Sequence, residues 1–271
     1  MDLKNAAHKE ISNFDSRMKH FKQLLFVLLL VPSFFLSAQR NVKDSVISTP
    51  WIGLHYGLIS PGGDLSERFG TLNHLGVMAG YKTNRNWVLG LDGNFIFGDQ
   101  IKVNTLFSHL IDSYGNITDV NGEIARVLVT ARGFNINLML GKVFTIAGPN
   151  CNSGIYVHGG LGYVQHKMRV ETQDQVIPTL ELDYRKGYDR YTTGLNFHQF
   201  VGYAFMANKG FVNFYGGFYF SQGLTYNRRD IFFDEPTTPV PTAQRLDLQY
   251  GIKLGWFIPI YERKPKDFYY D

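Results

Sequence analysis

Three residue types that nucleophilic catalysis uses stand close together in the segment "FSHLID". They are Ser108, His109 and Asp112. A nucleophilic serine needs a base within hydrogen-bond reach, and the base needs a third group that orients it. Three common polar residues fall this close together often by chance, and no further part of a catalytic motif accompanies them. The sequence therefore predicts no enzyme and no catalytic residue.

Histidines and one short acidic segment are the candidate metal ligands. Imidazole is a frequent ligand, but no histidine pair has the spacing of a helical or Cys-His zinc site. The segment "DVNGE", residues 119–123, hints at calcium but lacks the remaining ligands of a calcium loop, and an Asx turn explains it equally well. We expect no metal and no cofactor, and histidines that are buried and bonded to Asn and Tyr. These histidines are His55, His74, His158, His166 and His198.

Tyrosine and arginine, which are favoured at protein interfaces, concentrate in two polar segments of the second half. Residues 167–190 hold five Lys or Arg and five Asp or Glu, with tyrosines between them. We predict a binding surface formed by Tyr184, Tyr188, Arg190, Tyr191, Arg228, Arg229, Phe232 and Phe233. A second candidate is the aromatic end of the chain, with Phe268, Tyr269 and Tyr270. The alternative that such exposed segments carry mixed charge without a specific partner stays open.

The elements that would position these residues are strands of period two. In "LQYGIKLGWFIPIY", residues 248–261, large apolar residues alternate with small or polar ones, and only Phe257 breaks the alternation. Seven other segments alternate in the same way: 51–59, 73–82, 87–97, 134–142, 155–166, 194–205 and 212–221. Alternation of this length is typical of strands with one large apolar face. The sequence therefore predicts eight strands.

The connections between these strands alternate between long and short. Those after strands one, three, five and seven are long, at about 60–72, 98–126, 167–193 and 222–246. Strands two and six are followed by the short turns "TNRN" and "ANKG". Bacterial outer-membrane barrels have this pattern, with short turns in the periplasm. We predict an all-β fold, an eight-stranded antiparallel up-and-down transmembrane β-barrel, with short turns and both termini periplasmic and the long loops extracellular.

The second face of each strand decides between a soluble barrel and a membrane barrel. In a soluble barrel that face would meet water and be rich in Lys, Glu and Thr. Here it is mostly Gly, Asn and His, residues that suit a narrow, side-chain-filled lumen. A charge inside the lumen is expected to be paired, so we expect Asp92 to pair with Lys253 or Lys82. Aromatic residues on the lipid face would form a girdle near the short turns: Tyr81, Trp87, Tyr203 and Trp256.

The N-terminal segment predicts export. Lys19, His20 and Lys22 precede the apolar run "LLFVLLLVPSFFL" and the small residues of "SAQR", which is the pattern of a secretory signal cleaved near Ala38. We assign residues 1–38 to an N-terminal extension and signal peptide and 39–50 to a periplasmic linker. Residues 51–261 form the outer-membrane barrel, and 262–271 form a periplasmic tail.

Charge and cysteine content exclude two further classes of protein. Residues 1–38 hold five of the 27 Lys and Arg and three of the 23 Asp and Glu, so the remainder has a net charge of +2. No basic stripe is left that would indicate a nucleic-acid partner. The single Cys151 cannot form an internal disulfide, so stability must come from packing and hydrogen bonding.

Several short motifs resemble one family of membrane proteins. The signal ending "LSAQ", the steps "AGYK", "LGYV" and "VGYA", and the aromatic-rich last strand resemble the small outer-membrane β-barrel family of the Bacteroidota, which includes PorT-like proteins. The resemblance covers about 51–261 and implies a secretion role, with the last strand as the signal for barrel assembly. This chain departs from the pattern by continuing past that strand.

We therefore predict a non-enzymatic interaction subunit of an outer-membrane secretion or biogenesis complex. Its expected partners are outer-membrane lipid, lipopolysaccharide and a protein of the outer membrane or periplasm. One alternative is a free-standing surface barrel whose long outer loops bind an external ligand or surface. The other is a lipid A modifying enzyme, with Ser108, His109 and Asp112 as weak evidence.

Overall fold

The computed structural model describes residues 46–173, 175–207 and 212–260. The strands of this part are β1 (Thr49–Gly63), β2 (Leu72–Lys82), β3 (Trp87–Gly98), β4 (Ile117–Thr118), β5 (Ile124–Ala125), β6 (Leu128–Phe144), β7 (Gly154–Glu171), β8 (Thr192–Met206), β9 (Asn213–Asn227) and β10 (Arg245–Pro259). Short 3-10 helices span Asp64–Glu67, Pro178–Leu180 and Leu182–Gly187. Among the described residues, no helix is long and apolar enough to cross a bilayer.

Eight of these strands close into a ring, and β4 and β5 form a separate small hairpin. Each barrel strand pairs antiparallel with the strands next to it along the chain, and β1 closes the ring against β10. Following the paired residues once around the ring from Gly53 leads back to β1 at Gly63, ten residues further on. This stagger tilts the strands against the barrel axis. The predicted eight-stranded antiparallel up-and-down barrel is confirmed.

The strands are longer than predicted, and three of the four long loops are shorter; L2 keeps its predicted length. β1 begins at Thr49, inside the predicted linker 39–50, and β10 ends at Pro259 rather than at 261. Extension of the strands is favoured because each added ladder hydrogen bond satisfies backbone groups. The long connections are loop L1 (64–71), L2 (99–127), L3 (172–191) and L4 (228–244). The predicted signal peptide and periplasmic tail lie outside the described residues.

The outer surface is apolar around the middle of the barrel. Leu138, Leu254 and Phe218 are 59%, 62% and 73% exposed, and they are typical of the outward positions on every barrel strand. Trp87 and Trp256 are also exposed, on strand ends near the short turns, where the girdle was predicted. A continuous apolar belt is unfavourable in water, whereas the bilayer core accepts it. The exterior is therefore that of a membrane-spanning barrel.

An ion pair lies at the centre of the lumen. Lys253 Nζ is 3.2 Å from Asp92 Oδ2, and both side chains are fully buried. Lys253 Nζ also lies 4.2 Å from the ring centre of Tyr219. Of the two predicted partners of Asp92, Lys253 is confirmed. Lys82 is the wrong one, because it lies at the short-turn end of β2 and donates instead to Asn152 Oδ1 at 2.8 Å.

Histidines and asparagines surround this ion pair. A hydrogen bond of 2.7 Å joins His55 Nε2 to Asn94 Oδ1, as predicted for a buried histidine. His158 and His198 differ from the prediction, because their rings bond to each other at 3.2 Å rather than to Asn or Tyr. Nearer the long loops, His166 Nε2 lies 2.9 Å from the carboxylate of Asp247. Polar side chains thus fill the lumen. His74 also differs from the prediction, because neither of its ring nitrogens bonds to a described Asn or Tyr, and its ring lies 5.8 Å from that of Tyr219.

Aromatic side chains close the lumen at the short-turn end. Trp51 meets Phe257 at a ring distance of 5.7 Å, and Tyr215 lies 5.6 Å from Phe200 and 6.0 Å from Tyr156. All five side chains are buried. Phe257, the exception in the alternation of the last strand, is therefore an inward residue that fills this floor. Small residues on neighbouring strands make the room, since a Cβ on Gly255 would lie 2.4 Å from the Tyr215 ring.

Candidate interaction surface

Loops L2, L3 and L4 pack into one layer at the end of the barrel opposite the short turns. We call the described residues of these loops, 99–127, 172–173, 175–191 and 228–244, the loop layer. Arg229 on L4 donates to both carboxylate oxygens of Asp189 on L3, with Nε to Oδ1 at 2.8 Å. Such a two-point contact fixes orientation as well as distance. The hydrogen bonds to Asp189 raise the pKa of Arg229 above its ordinary value, so this loop contact remains charged.

A second ion pair repeats this connection on the next residue of L3. Arg190 NH2 bonds to Asp234 Oδ2, and the Asp234 side chain is fully buried. The Arg190 guanidinium also lies 4.3 Å from the ring centre of Phe232. A buried charge is costly unless it is paired, so neither loop adopts this position without the other.

Tyr188 joins all three loops of the layer. Its ring lies 5.2 Å from Phe107 of L2 and 5.7 Å from Phe233 of L4. It stacks on His109 of L2, whose Nε2 is 2.8 Å from the Tyr188 hydroxyl. Burial, with a further contribution from the Asp234 carboxylate, raises the pKa of Tyr188 above its ordinary value. The neutral phenol is therefore the form that the layer accommodates.

Arg68 on L1 fastens this layer to the barrel. It is 6% exposed and donates through NH1 to Arg190 O of L3 at 3.3 Å. On the barrel strands it donates through NH1 to Thr192 Oγ1 and through NH2 to Asn227 Oδ1, both at 2.8 Å. Burial, together with nearby Arg245, lowers the pKa of Arg68 to about 10. The sequence does not reveal this role of Arg68, because nothing in L1 distinguishes it from a solvated arginine.

The predicted loop residues divide into an exposed and a buried group. Tyr184 and Arg228 are exposed, and Tyr191, Arg229 and Phe233 are half-buried. Tyr188, Arg190 and Phe232 are buried within the loop layer. The buried residues hold the loops together, so a partner would meet only the others. The predicted tail residues Phe268, Tyr269 and Tyr270 lie outside the described residues.

Three exposed apolar side chains lie on two loops that hydrogen bonds join, and no sequence pattern marks them. Val120, Ile124 and Val176 are 57%, 67% and 50% exposed, and we call them the apolar tip. Val120 N donates to Val176 O at 3.1 Å, which ties the β4–β5 hairpin of L2 to L3. The side chain of Gln175 adds bonds to Arg126 N at 2.8 Å and to Ile124 O at 3.1 Å. Only this pairing of two loops brings the three residues together.

The three candidate catalytic residues are not assembled into a site. His109 bonds to Tyr188, and Asp112 Oδ1 accepts hydrogen bonds from the backbone of Tyr114 and Asn116, both at 2.8 Å. No hydrogen bond joins Ser108, His109 and Asp112 to one another in this described loop. Asp112 therefore shapes a turn, and His109 packs the loop layer.

The acidic segment 119–123 forms a turn at the tip of the β4–β5 hairpin. Asp119 Oδ1 accepts from the backbone N–H of Asn121 at 2.8 Å and of Glu123 at 2.9 Å. These bonds, foremost that from Glu123, hold the pKa of Asp119 below its ordinary value. The Asx turn explains this segment. Within the described part of the chain, no group of three or more His, Cys, Asp or Glu side chains is placed to hold a metal ion.

The fold and the exterior define a small, closed, membrane-spanning β-barrel. Among solved structures the chain is similar to the attachment invasion locus protein Ail of Yersinia pestis, at 10% identity and a TM-score of 0.39, over 79% of this chain and 99% of that one. Neisserial surface protein A aligns at 8% identity and a TM-score of 0.40, over 78% and 98%. The outer membrane protein OprG from Pseudomonas aeruginosa aligns at 10% and 0.37, over 81% and 99%.

Sequence comparisons add no closer relationship. No protein-family model matches the chain, and no curated protein matches it. At identities near one residue in ten, the structural similarity concerns the barrel fold alone. The resemblance to a Bacteroidota family stays a prediction, and a function has to be argued from this chain's own residues.

Proposed function

We propose that the protein is an outer-membrane β-barrel that acts as a non-enzymatic interaction subunit of a secretion or biogenesis complex. The apolar tip carries this proposal. Val120, Ile124 and Val176 present apolar side chains to water at the end of the barrel where an outer-membrane protein has its extracellular loops. Apolar side chains that are exposed close together on a fixed support favour a protein–protein contact.

The order of the loop layer supports the same function. Long surface loops are usually mobile, because few contacts hold them. Here two ion pairs, the half-buried Arg229–Asp189 and the more deeply buried Arg190–Asp234, fix L3 against L4. A surface that is already rigid loses little conformational entropy when a partner binds. We infer that the layer presents one defined shape to its partner.

The filled lumen argues against transport as the main activity. The Asp92–Lys253 ion pair and the ring of Tyr219 occupy its centre, and Trp51 and Phe257 close its floor. An eight-stranded barrel has an interior just wide enough for such side chains. The activity is therefore exerted at the ends of the barrel or on its lipid-facing surface. In this proposal the short turns and both termini are periplasmic, and Phe268, Tyr269 and Tyr270 offer a second contact there.

A second candidate function has an observation of its own. Tyr184 is 60% exposed, and Arg228 stands exposed on the neighbouring loop, beside the half-buried Tyr191. Tyrosine and arginine serve equally well for an external ligand or surface. A free-standing surface barrel would use these side chains rather than the apolar tip.

Site-specific photocross-linking tests the proposal. A benzoylphenylalanine would replace Ile124 in the tagged full-length chain in its native outer membrane, and Ile146 would be the matched control. Ile146 is 62% exposed but lies on the turn after β6, at the other end of the barrel. We expect one defined adduct from position 124 and no adduct of the same size from position 146. Absence of any protein adduct at 124, with the barrel folded, would contradict the complex-subunit function.

Two variants then separate the candidate functions. Val120→Asp with Ile124→Asp should abolish stoichiometric co-purification of the cross-linked protein in mild detergent. Tyr184→Ser should leave that co-purification unchanged but impair a surface barrel that binds an external ligand. Deletion of residues 268–271 shows whether the tail contributes to the same complex.

A further inference from the structure

We propose that the outer face of β6 and β7 binds a phosphate group of lipid A, the membrane anchor of lipopolysaccharide. The site consists of Arg132, Lys167 and Arg169, with the side-chain amide of Gln165. It rests on the membrane orientation in the proposed function. It does not depend on a protein partner, because it lies on the side of the barrel and not on the loop layer.

The three cations are neighbours on one face of the sheet. Arg132 on β6 is the direct cross-strand partner of Lys167 on β7, and Arg169 pairs with Thr130 one step further along. All lie on the outer face, since Arg132 shares the parity of the lipid-facing Leu138, and Lys167 and Arg169 are themselves exposed. Like charges placed directly opposite each other on a sheet are destabilising. A structure that keeps such a pair gains from an anion placed between them.

The charges of this cluster are not balanced by the protein. Arg169 pairs with Glu171, with 2.5 Å between NH2 and Oε1. Neither Arg132 nor Lys167 forms an ion pair with a described residue, in contrast to Lys253, which has Asp92. Together, the three cations and Glu171 keep a net charge of +2. A single phosphate at this position would neutralise it.

The polar groups beside the cations are donors as well. Gln165 Oε1 accepts hydrogen bonds from the hydroxyls of Tyr163 at 3.1 Å and Tyr191 at 2.8 Å. This leaves its Nε2 amide, two residues before Lys167, to donate at the same surface. Guanidinium, ammonium and amide N–H groups all donate hydrogen bonds, and the charged oxygens of a phosphate accept them. The chemistry of the surface therefore fits phosphate.

The height of the cluster fits a lipid headgroup. Directly below it on the outer face lies an aromatic band, in which the rings of Phe134 and Tyr163 are 6.0 Å apart. The guanidinium of Arg132 lies 5.5 Å from the ring centre of Phe95, at the upper edge of this band. Aromatic girdles mark the boundary between hydrocarbon and water. The cations thus lie where the phosphates of the outer leaflet lie, which favours lipid A over a free anion.

Binding of labelled, bisphosphorylated lipid A to the full chain in phosphatidylcholine nanodiscs tests this site. The variant carries Arg132→Gln and Lys167→Gln. Its control carries Arg85→Gln and Lys142→Gln, an equal loss of charge at the opposite rim, where Lys142 Nζ lies 5.2 Å from the Trp87 ring. We expect the first variant to bind about tenfold more weakly, through loss of two charge-assisted contacts at a solvent-exposed site. The control should bind like the wild type.

Four outcomes would overturn the site. They are equal losses in both variants, no loss in either, equal affinity of wild type for lipid A lacking its phosphates, and displacement of lipid A by millimolar inorganic phosphate. The last would assign the cluster to a free anion instead. Heat-dependent gel mobility confirms that both variants are folded. Cross-linking at position 124 in the first variant reports the proposed function separately, because the two surfaces share no residue.

Discussion

The centre of the lumen and the loop layer both bury ion pairs. Only the lumen is enclosed by strands whose hydrogen-bonded ladders hold the backbone in place without those ion pairs. Asp92 and Lys253 lie on β3 and β10, and each strand is hydrogen-bonded to its neighbours on both sides. Asp189 and Arg229 lie on L3 and L4, which are outside the barrel ladders. In the lumen the frame holds the charges together. In the loop layer the ion pairs add to a few separate backbone hydrogen bonds, such as that from Phe233 N to Gly187 O at 3.0 Å.

This difference separates stability from shape. Loss of one charge in the lumen leaves its partner buried in a frame that cannot open to admit water, so the whole barrel is destabilised. Loss of one charge in the loop layer lets the loops separate and hydrate, so the barrel keeps its stability and the layer loses its conformation. Three experiments test this separation.

The largest effect is expected from Lys253→Met. It leaves the Asp92 carboxylate buried without its partner, and we expect it to lower the free energy of unfolding by about 3–5 kcal/mol. Urea unfolding in detergent micelles, followed by heat-dependent gel mobility, measures this value. The double variant with Asp92→Asn should recover most of the loss. A double variant as unstable as the single one would show that packing of the lysine chain, not charge pairing, is what matters.

A smaller and local effect is expected from Asp189→Asn. Loss of the charged two-point contact with Arg229 should loosen L3 by about 1.5 kcal/mol, while the unfolding free energy of the barrel stays the same. Trypsin cleavage after Arg185 or Lys186 should then be about tenfold faster, since local opening controls access. The exchanged pair Asp189→Arg with Arg229→Asp should restore slow cleavage. If Asp189→Asn instead destabilised the barrel as strongly as Lys253→Met, the two regions would not be separable.

The smallest effect is a pH dependence of the loop layer. The pKa of Tyr188 is raised in the folded layer, chiefly by burial. Its contribution to stability is therefore complete below the ordinary tyrosine pKa of about 10, and it is lost as pH rises through the folded-state value. A spin label at residue 231, in a Cys151→Ser background, should become more mobile in that range. Tyr188→Phe should remove this step, and a step that persists in it would assign the transition to another group.

The barrel could be predicted because its pattern is local. Strand alternation is visible within a single strand. It placed Tyr250, Ile252 and Leu254 on the lipid face and Lys253 in the lumen, as the structure has them. The exception was aromatic. Phe257 is as apolar as the lipid-facing residues, so hydrophobicity does not distinguish a floor that fills the lumen from a belt that meets lipid.

The loop layer could be predicted only as a set of residue types. Its ion pairs join residues 40 and 44 positions apart, and no periodic pattern relates them. Tyrosine and arginine drew attention to L3 and L4 but did not show which side chains are buried, because burial depends on how L3 meets L4. The apolar tip left no signal at all, since a single valine or isoleucine in a loop is ordinary. The burial of the loop residues and the position of the apolar tip both depend on contacts between segments that are far apart in the sequence.

The attachment of the chain to the floor of the barrel has a mechanical consequence. The backbone of Ile47 is bonded on both sides, its N–H to Asn152 Oδ1 at 2.9 Å and its carbonyl to Lys82 Nζ at 3.1 Å. From Thr49 onward, β1 is paired with β2 and with β10 along nearly its whole length. A force applied along β1 would therefore shear many ladder hydrogen bonds at the same time rather than break them one by one. A force that pulls on the N-terminal side of the chain therefore acts in the direction in which the barrel resists unfolding most strongly.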